Sequence, residues 1–164
     1  MMSKESQKLV VFISFSGEQS ERLGNWLVSW IQKLFPEVTV YFSNQYPSGG
    51  GGPYIDHIRD YMAEASAAAF CVTAENVNSN WINYELGLAS ASPNLKSILI
   101  ITLGIKPSDL PTPASLYHVA QFSKPVIEQF LTAIAKSARY DVPLFHRQFE
   151  SAWPQMEDEA QRFI

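Results

Sequence analysis

The chain has 164 residues, 46% of them apolar and 13% aromatic, enough bulky material for one domain with a substantial core and too much for a disordered polymer. Its 12 basic and 16 acidic residues leave a net charge of −4. Glu150, Glu157, Asp158 and Glu159 face only Arg162, so most of that excess sits at one end. Residues 1–149 are nearly neutral, which excludes a dedicated nucleic-acid binder needing a basic patch.

Leu9-Val10-Val11-Phe12-Ile13 is a continuous apolar run, too short for a helix, and reads as a buried strand of a parallel sheet. Ser16 is expected to cap the next helix, with Gln19 reaching back as a capping box. Leu23, Trp26, Leu27, Trp30, Ile31 and Leu34 then form one apolar stripe, ended by Phe35-Pro36. Val38 to Phe42 reads as strand two. A loop from Ser43 to Pro53 follows, with four consecutive glycines, Gly49 to Gly52. It lacks the spacing of a dinucleotide fingerprint or a P-loop and is expected to open and close over a site. Pro53 suits the first position of helix two, whose buried face is marked by Ile55, Ile58, Met62 and Ala65.

Ala67 to Thr73 is strand three, and Asn78, Ser79 and Asn80 are all good N-caps for a helix over about 81–91. Ser97 to Leu103 is the plainest strand, and Tyr117 to Phe122 reads as a short fifth one. Ser123-Lys124-Pro125 opens a helix with Ile127, Phe130, Leu131 and Ile134 on one face. From about Tyr140 the periodicity weakens around Pro143 and Pro154. Residues 140–164 are therefore expected to be a helical extension of a domain spanning 8–139, or the start of a linker to a sensor domain or partner protein. Strands alternating with helices imply a parallel sheet covered on both faces.

The lone Cys71 excludes a disulfide framework, and His57, His118 and His146 show no metal-ligand spacing, so no metal is expected. Neither a signal-peptide h-region nor a run of the ~20 apolar residues that span a bilayer is present, so a soluble cytoplasmic protein without membrane contact is expected.

Open α/β sheets bind ligands at the carboxyl ends of their strands. That rule selects Ser14-Phe15-Ser16, Ser43-Asn44 and the stretch from Thr73 to Trp81. Their polar side chains suit a sugar or phosphate, and suit turns and caps equally well. The most pointed feature is Trp81-Ile82-Asn83-Tyr84-Glu85. Trp81 and Glu85, four apart, share one helix face, and an indole beside a carboxylate fits a planar cationic ligand. The same spacing also fits a Trp on the core and a Glu near the positive end of its helix. Glu75 is the most credible second carboxylate.

Val11-Phe12-Ile13-Ser14-Phe15-Ser16 resembles box 1 of the TIR (Toll/interleukin-1 receptor) domain family, bacterial members in particular. The glycine-rich stretch through Tyr54 lies where that family has its BB loop. Ser79-Asn80-Trp81-Ile82-Asn83-Tyr84-Glu85 resembles its S-x-W-x-x-x-E segment, and the order of elements matches from about Lys8 to Ser137. Box 1 is followed here by Ser16-Gly17-Glu18 instead of the more usual polar-x-Asp run. The resemblance implies a flavodoxin-like α/β fold, a three-layer sandwich with a five-stranded parallel sheet in order 2-1-3-4-5 and helices on both faces. It also implies self-association, activity that depends on assembly, and a role in bacterial defence or signalling.

Many TIR domains cleave NAD⁺ at the nicotinamide–ribose bond, giving ADP-ribose or a cyclised form. The family's essential glutamate carries over to Glu85, and its pocket tryptophan to Trp81. NAD⁺ is then substrate and no separate cofactor is implied. Nicotinamide in NAD⁺ is already a cationic leaving group, so one carboxylate that stabilises an oxocarbenium-like ribose suffices. Phe15 and Trp81 would stack on the ligand, and Ser14, Ser16, Ser43 and Ser79 would supply polar contacts. The alternatives are a non-catalytic TIR adaptor that acts by self-association, and a nucleoside or nucleotide N-glycosidase of related fold.

Overall fold

A computed structural model describes residues 8–42, 53–111 and 117–164, with the backbone alone for 53–56. The expected glycine-rich loop, with Ser43 and Asn44, lies outside the described residues. The elements in chain order are β1 (Val10–Ser14), α1 (Glu18–Leu34), β2 (Thr39–Phe42), α2 (Pro53–Glu64), β3 (Ala67–Thr73), α3 (Asn80–Ala91), β4 (Ser97–Leu103), a short 3₁₀ turn (Pro107–Asp109), β5 (Val119–Gln121), α4 (Lys124–Ser137) and α5 (Val142–Ala160). The strands form one parallel sheet in the order β2-β1-β3-β4-β5.

Two apolar layers flank the sheet because side chains alternate along each strand. Val11, Ile13, Ala69, Cys71, Leu99 and Ile101 face α1, α4 and α5. Val10, Phe12, Ala68, Phe70, Val72 and Ile100 face α2 and α3. β1 and β3 are buried along their whole length, as continuous apolar runs between two helical layers should be. Cys71 is a fully buried core residue, and burial pushes its thiol well above the ordinary range.

The start of α1 differs from the capping box expected at Ser16. Its N-cap is Gly17, in left-handed backbone at φ 89°, and no side chain of the cap residue closes the helix. The Glu75 carboxylate does so from the β3–α3 loop, accepting from the backbone N–H of Glu18 at 3.1 Å and of Gln19 at 3.4 Å. Gln19 spends its side chain elsewhere, donating Nε2 to the Phe163 carbonyl at 3.1 Å. Ser16 instead donates its backbone N–H to Ser20 Oγ at 3.2 Å. One turn further on, Gly24 is required by close approach, because a Cβ there would overlap the Phe15 ring.

Helix α5 carries Phe145, Phe149, Trp153, Met156 and Ala160 on one buried face, joined to the larger core. Asp141 caps it, accepting from the Leu144 N–H at 2.9 Å, and Pro143 falls in the first turn where no donor is missed. Pro154 and Glu150 are both exposed, so the helical bond that Pro154 cannot donate to the Glu150 carbonyl is lost on the exposed face of α5. The contact with α1 is polar as well. Trp26 Nε1 donates to the Met156 carbonyl at 3.1 Å, and Trp30 Nε1 donates to Glu159 Oε2 at 2.8 Å. The Trp30 bond is the main reason that the Glu159 carboxyl lies below its usual range. Part of the acidic excess near the C-terminal end thus serves the buried Trp30 indole of α1.

Candidate active site

The sheet alternation puts Ser14, the last residue of β1, on the α2/α3 side. Helix α3 turns Ile82, Glu85, Leu86 and Ala89 toward that same side, the i, i+3, i+4, i+7 pattern of a core stripe. A carboxylate therefore occupies a position that an apolar side chain would normally fill. Glu85 is 0% exposed, and neither carboxylate oxygen has a hydrogen-bond partner among the described residues. The Ser14 hydroxyl, 1% exposed, is unpartnered too. Burial pushes the Glu85 carboxyl up to about 7, opposed by Ser14 and then Trp81, whose side chains favour the charged form. Neither closes to a well-formed hydrogen bond.

Trp81 is half-buried at the start of α3, tilted against Tyr84 with ring centroids 5.6 Å apart. Ser79 is the N-cap of α3, but its side chain makes no cap bond. Ser14, Trp81 and Glu85 are thus brought together, with Ser79 in the preceding turn of chain. Ser16 lies in the β1–α1 loop, tied by its backbone carbonyl to Asn76.

Phe15 goes elsewhere. Next to Ser14 on an extended chain, it points to the opposite side of the sheet, into the α1 layer, where it is 3% exposed and stacks on Phe42 with centroids 6.1 Å apart. The structure therefore does not bring Phe15, expected to stack on the ligand, together with Ser14, Trp81 and Glu85. Glu75, the credible second carboxylate of the sequence, is spent on the start of α1.

Sequence reasoning missed Thr102. This residue interrupts the apolar run of β4 one position before its end, is 1% exposed, and has an unpartnered hydroxyl. Alternation from Ile98 and Ile100 puts it on the α2/α3 side with Ser14. A buried threonine at the carboxyl end of an otherwise apolar strand was the available signal. Tyr84 adds another buried, unpartnered hydroxyl on α3. So many unpaired buried polar groups are unusual in a folded chain and point to a place prepared for polar contacts.

His57 and His118 are exposed, and His146 Nδ1 lies 3.1 Å from Glu128 Oε1 between α4 and α5. Among the described residues there is no group of three or more His, Cys, Asp or Glu side chains that could hold a metal. Nor is any helix among them long and apolar enough to cross a membrane. Two surface cavities, of about 280 Å³ beside Glu18 and Arg162 and about 460 Å³ beside Glu128 and His146, are lined by none of Ser14, Trp81 and Glu85.

A five-stranded parallel sheet in this order, helices on both faces and polar groups at its carboxyl edge define a flavodoxin-like α/β protein. Residues 11–136 match the sequence profile of the TIR domain, and the chain belongs to that family. Among solved structures it is similar to a metazoan TIR-STING receptor from C. gigas, with 16% identity and a TM-score of 0.54 over 76% of this chain and 40% of that one. The chain thus spans less than half the length of that receptor, and the likeness is one of fold. It is also similar to the TIR domains of the activated Roq1 resistosome, which directly recognizes the pathogen effector XopQ. There the identity is 14% and the TM-score 0.47, over 94% of this chain and 78% of that one. No curated protein matches the chain.

Proposed function

We propose that this TIR domain is an NAD⁺ glycohydrolase in which Glu85 is the catalytic residue. The supporting observation is a carboxylate buried on a core stripe at the carboxyl edge of the sheet, with both oxygens unpartnered and Ser14 and Trp81 beside it. Nothing in the fold gains from that arrangement, because an unpaired buried carboxylate destabilises it. A cationic substrate supplies what is missing.

In the reaction the bond between ribose C1′ and the nicotinamide nitrogen breaks. Its electron pair goes to the ring, so nicotinamide leaves neutral and needs no proton from the protein. The positive charge moves to the ribose as an oxocarbenium-like centre, which ionised Glu85 stabilises at short range in a water-poor site. Water adds to C1′ and loses a proton, giving ADP-ribose; attack by the adenine of the same molecule gives the cyclised form. Trp81 offers an aromatic face to the nicotinamide, and the Ser14 and Thr102 hydroxyls are free to meet polar groups of the substrate. Ser16, Ser43 and Ser79 are further candidates for polar contacts. Glu85 is sealed from solvent, so entry of substrate requires neighbouring groups to move, and self-association through TIR surfaces is the proposed trigger. A sensor domain or partner protein at the C-terminal end would set when that happens, in defence or signalling.

The test follows nicotinamide release from NAD⁺ by wild type and Glu85→Ala at several protein concentrations. Turnover that rises with concentration and is lost in folded Glu85→Ala is the expected result. Unchanged turnover in the variant sinks the role of Glu85. No NAD⁺ consumption even in concentrated assemblies favours the adaptor reading. Preference for nucleosides or nucleotides over NAD⁺ favours the N-glycosidase reading.

A further inference from the structure

We infer that Asn76 is a positioning residue that holds Glu85 against Ser14 by locking the loop that leads into α3 onto the loop that leaves β1. As a role in the reaction this rests on the proposed function of Glu85; as a statement about geometry it does not. Asn76 is 4% exposed, and both ends of its amide are bonded within the protein. Oδ1 accepts from the Thr73 N–H at 2.8 Å, and Nδ2 donates to the Ser16 carbonyl at 2.8 Å and the Cys71 carbonyl at 3.0 Å. With both N–H donors spent and the residue 4% exposed, the amide has no donor for a phosphate or sugar oxygen, and its work is mechanical.

The two tethered points are close to the site in sequence. Ser16 lies two residues beyond Ser14. On the other side the Asn76 carbonyl accepts from the N–H of Ser79, the N-cap of α3, at 2.9 Å, and the Asn76 N–H bonds the Thr73 carbonyl at 3.2 Å. The Cys71 carbonyl is bonded twice, because Ser20 Oγ also donates to it at 2.7 Å. Glu75 of the same loop is spent on capping α1. The Asn76 side chain thus ties the β1–α1 loop to the end of β3, its backbone carbonyl holds the N-cap of α3, and Glu85 lies in the second turn of that helix. A helix rises 1.5 Å per residue and moves as a rod over such a length, so a shift at its first turn is passed to Glu85. Misplacement of a reacting group by about 1 Å is enough to lower a rate about 100-fold.

The experiment compares Asn76→Ala with wild type, each with and without Glu85→Gln, by denaturant unfolding at pH 5 and pH 8 and by nicotinamide release. In the wild-type background, Glu85→Gln raises the folding equilibrium constant roughly 60-fold more at pH 8 than at pH 5, the linkage expected of a carboxyl held near 7. If Asn76 positions Glu85, Asn76→Ala lets water reach the carboxyl and reduces that factor to roughly tenfold or below, while kcat/KM falls about 100-fold. A destabilised Asn76→Ala that keeps the full pH-linked factor overturns the inference and leaves Asn76 a structural residue. If wild type releases no nicotinamide, the reading of Glu85 as catalytic fails, but the pH-linked factor still decides where Asn76 holds it. Should Asn76→Ala not fold, Asn76→Asp carries the same measurement, since it keeps the acceptor for Thr73 and loses both donors.

Discussion

Replacing Glu85 with glutamine should stabilise the folded protein at alkaline pH while removing activity. Burial holds the carboxyl near 7 in the fold against an ordinary value of 4.5, and no charged group offsets it. The sign follows from proton counts. Between those two values the folded state keeps a proton that the unfolded chain has released, so stability falls as pH rises through that window. Below about 4.5 the penalty is absent, and above about 7 it is complete. At about 1.36 kcal/mol per pKa unit the full penalty is about 3 kcal/mol, of which about 2.5 kcal/mol develops between pH 5 and pH 8. Full burial means that solvent screening takes little from that figure. Glutamine has the same shape and stays neutral, so its packing and hydrogen-bonding differences from protonated Glu85 are common to both pH values and cancel.

Urea unfolding of the two proteins at pH 5 and pH 8 measures this directly. The variant should gain about 2.5 kcal/mol on wild type between the two conditions, or ~5–10 °C in melting temperature for a chain of this size. Groups shared by both proteins, such as the His146–Glu128 pair, drop out of the comparison. A gain of under about 0.5 kcal/mol would refute the reasoning, because Glu85 would then be solvated in the folded state.

The same carboxyl sets the pH dependence of turnover. On the proposed mechanism ionised Glu85 is the active form, so kcat/KM for NAD⁺ should rise with pH along a one-proton limb centred near 7 and lie about 100-fold below its plateau at pH 5, read by nicotinamide release. Phe149→Ala removes a fully buried ring of α5 and should cost about 3–5 kcal/mol in one cooperative transition; a separate early transition in a calorimetric scan would show that α5 unfolds independently. Glu75→Ala uncaps α1 and should lower stability by about 1 kcal/mol in urea unfolding, with turnover at saturating NAD⁺ unchanged; a large loss of turnover would restore Glu75 as a second catalytic carboxylate.

The fold was legible because its strands are covered on both faces and so read as unbroken apolar runs. β3 and β4 begin and end where such runs do, at 67–73 and 97–103. β5 is shorter than its sequence suggests, three residues at the sheet edge, where burial no longer dictates each side chain. The regular spacing of Phe145, Phe149, Trp153 and Met156 was present in the sequence, but Pro143 and Pro154 obscured it. One proline lies where a helix tolerates it and the other faces water. The bond from Asn76 to Ser16 and the cap from Glu75 had no local signature, since they join residues 56 to 60 apart in the chain.

At the site the strongest sequence signal is periodicity. Ser14 and Phe15 are neighbours at the end of β1 and face opposite sides of the sheet. The period of two assigns Ser14 to the α3 side and Phe15 to α1, as found. The helical period does the same for Glu85. Ile82, Leu86 and Ala89 define a buried stripe, and position 85 falls on it, so the sequence alone places a carboxylate against the sheet. A charge at a core position destabilises the fold by a few kcal/mol. When it also stands at the carboxyl edge of a parallel sheet, beside an unpartnered hydroxyl, the proposed cationic substrate is the partner that would offset that cost.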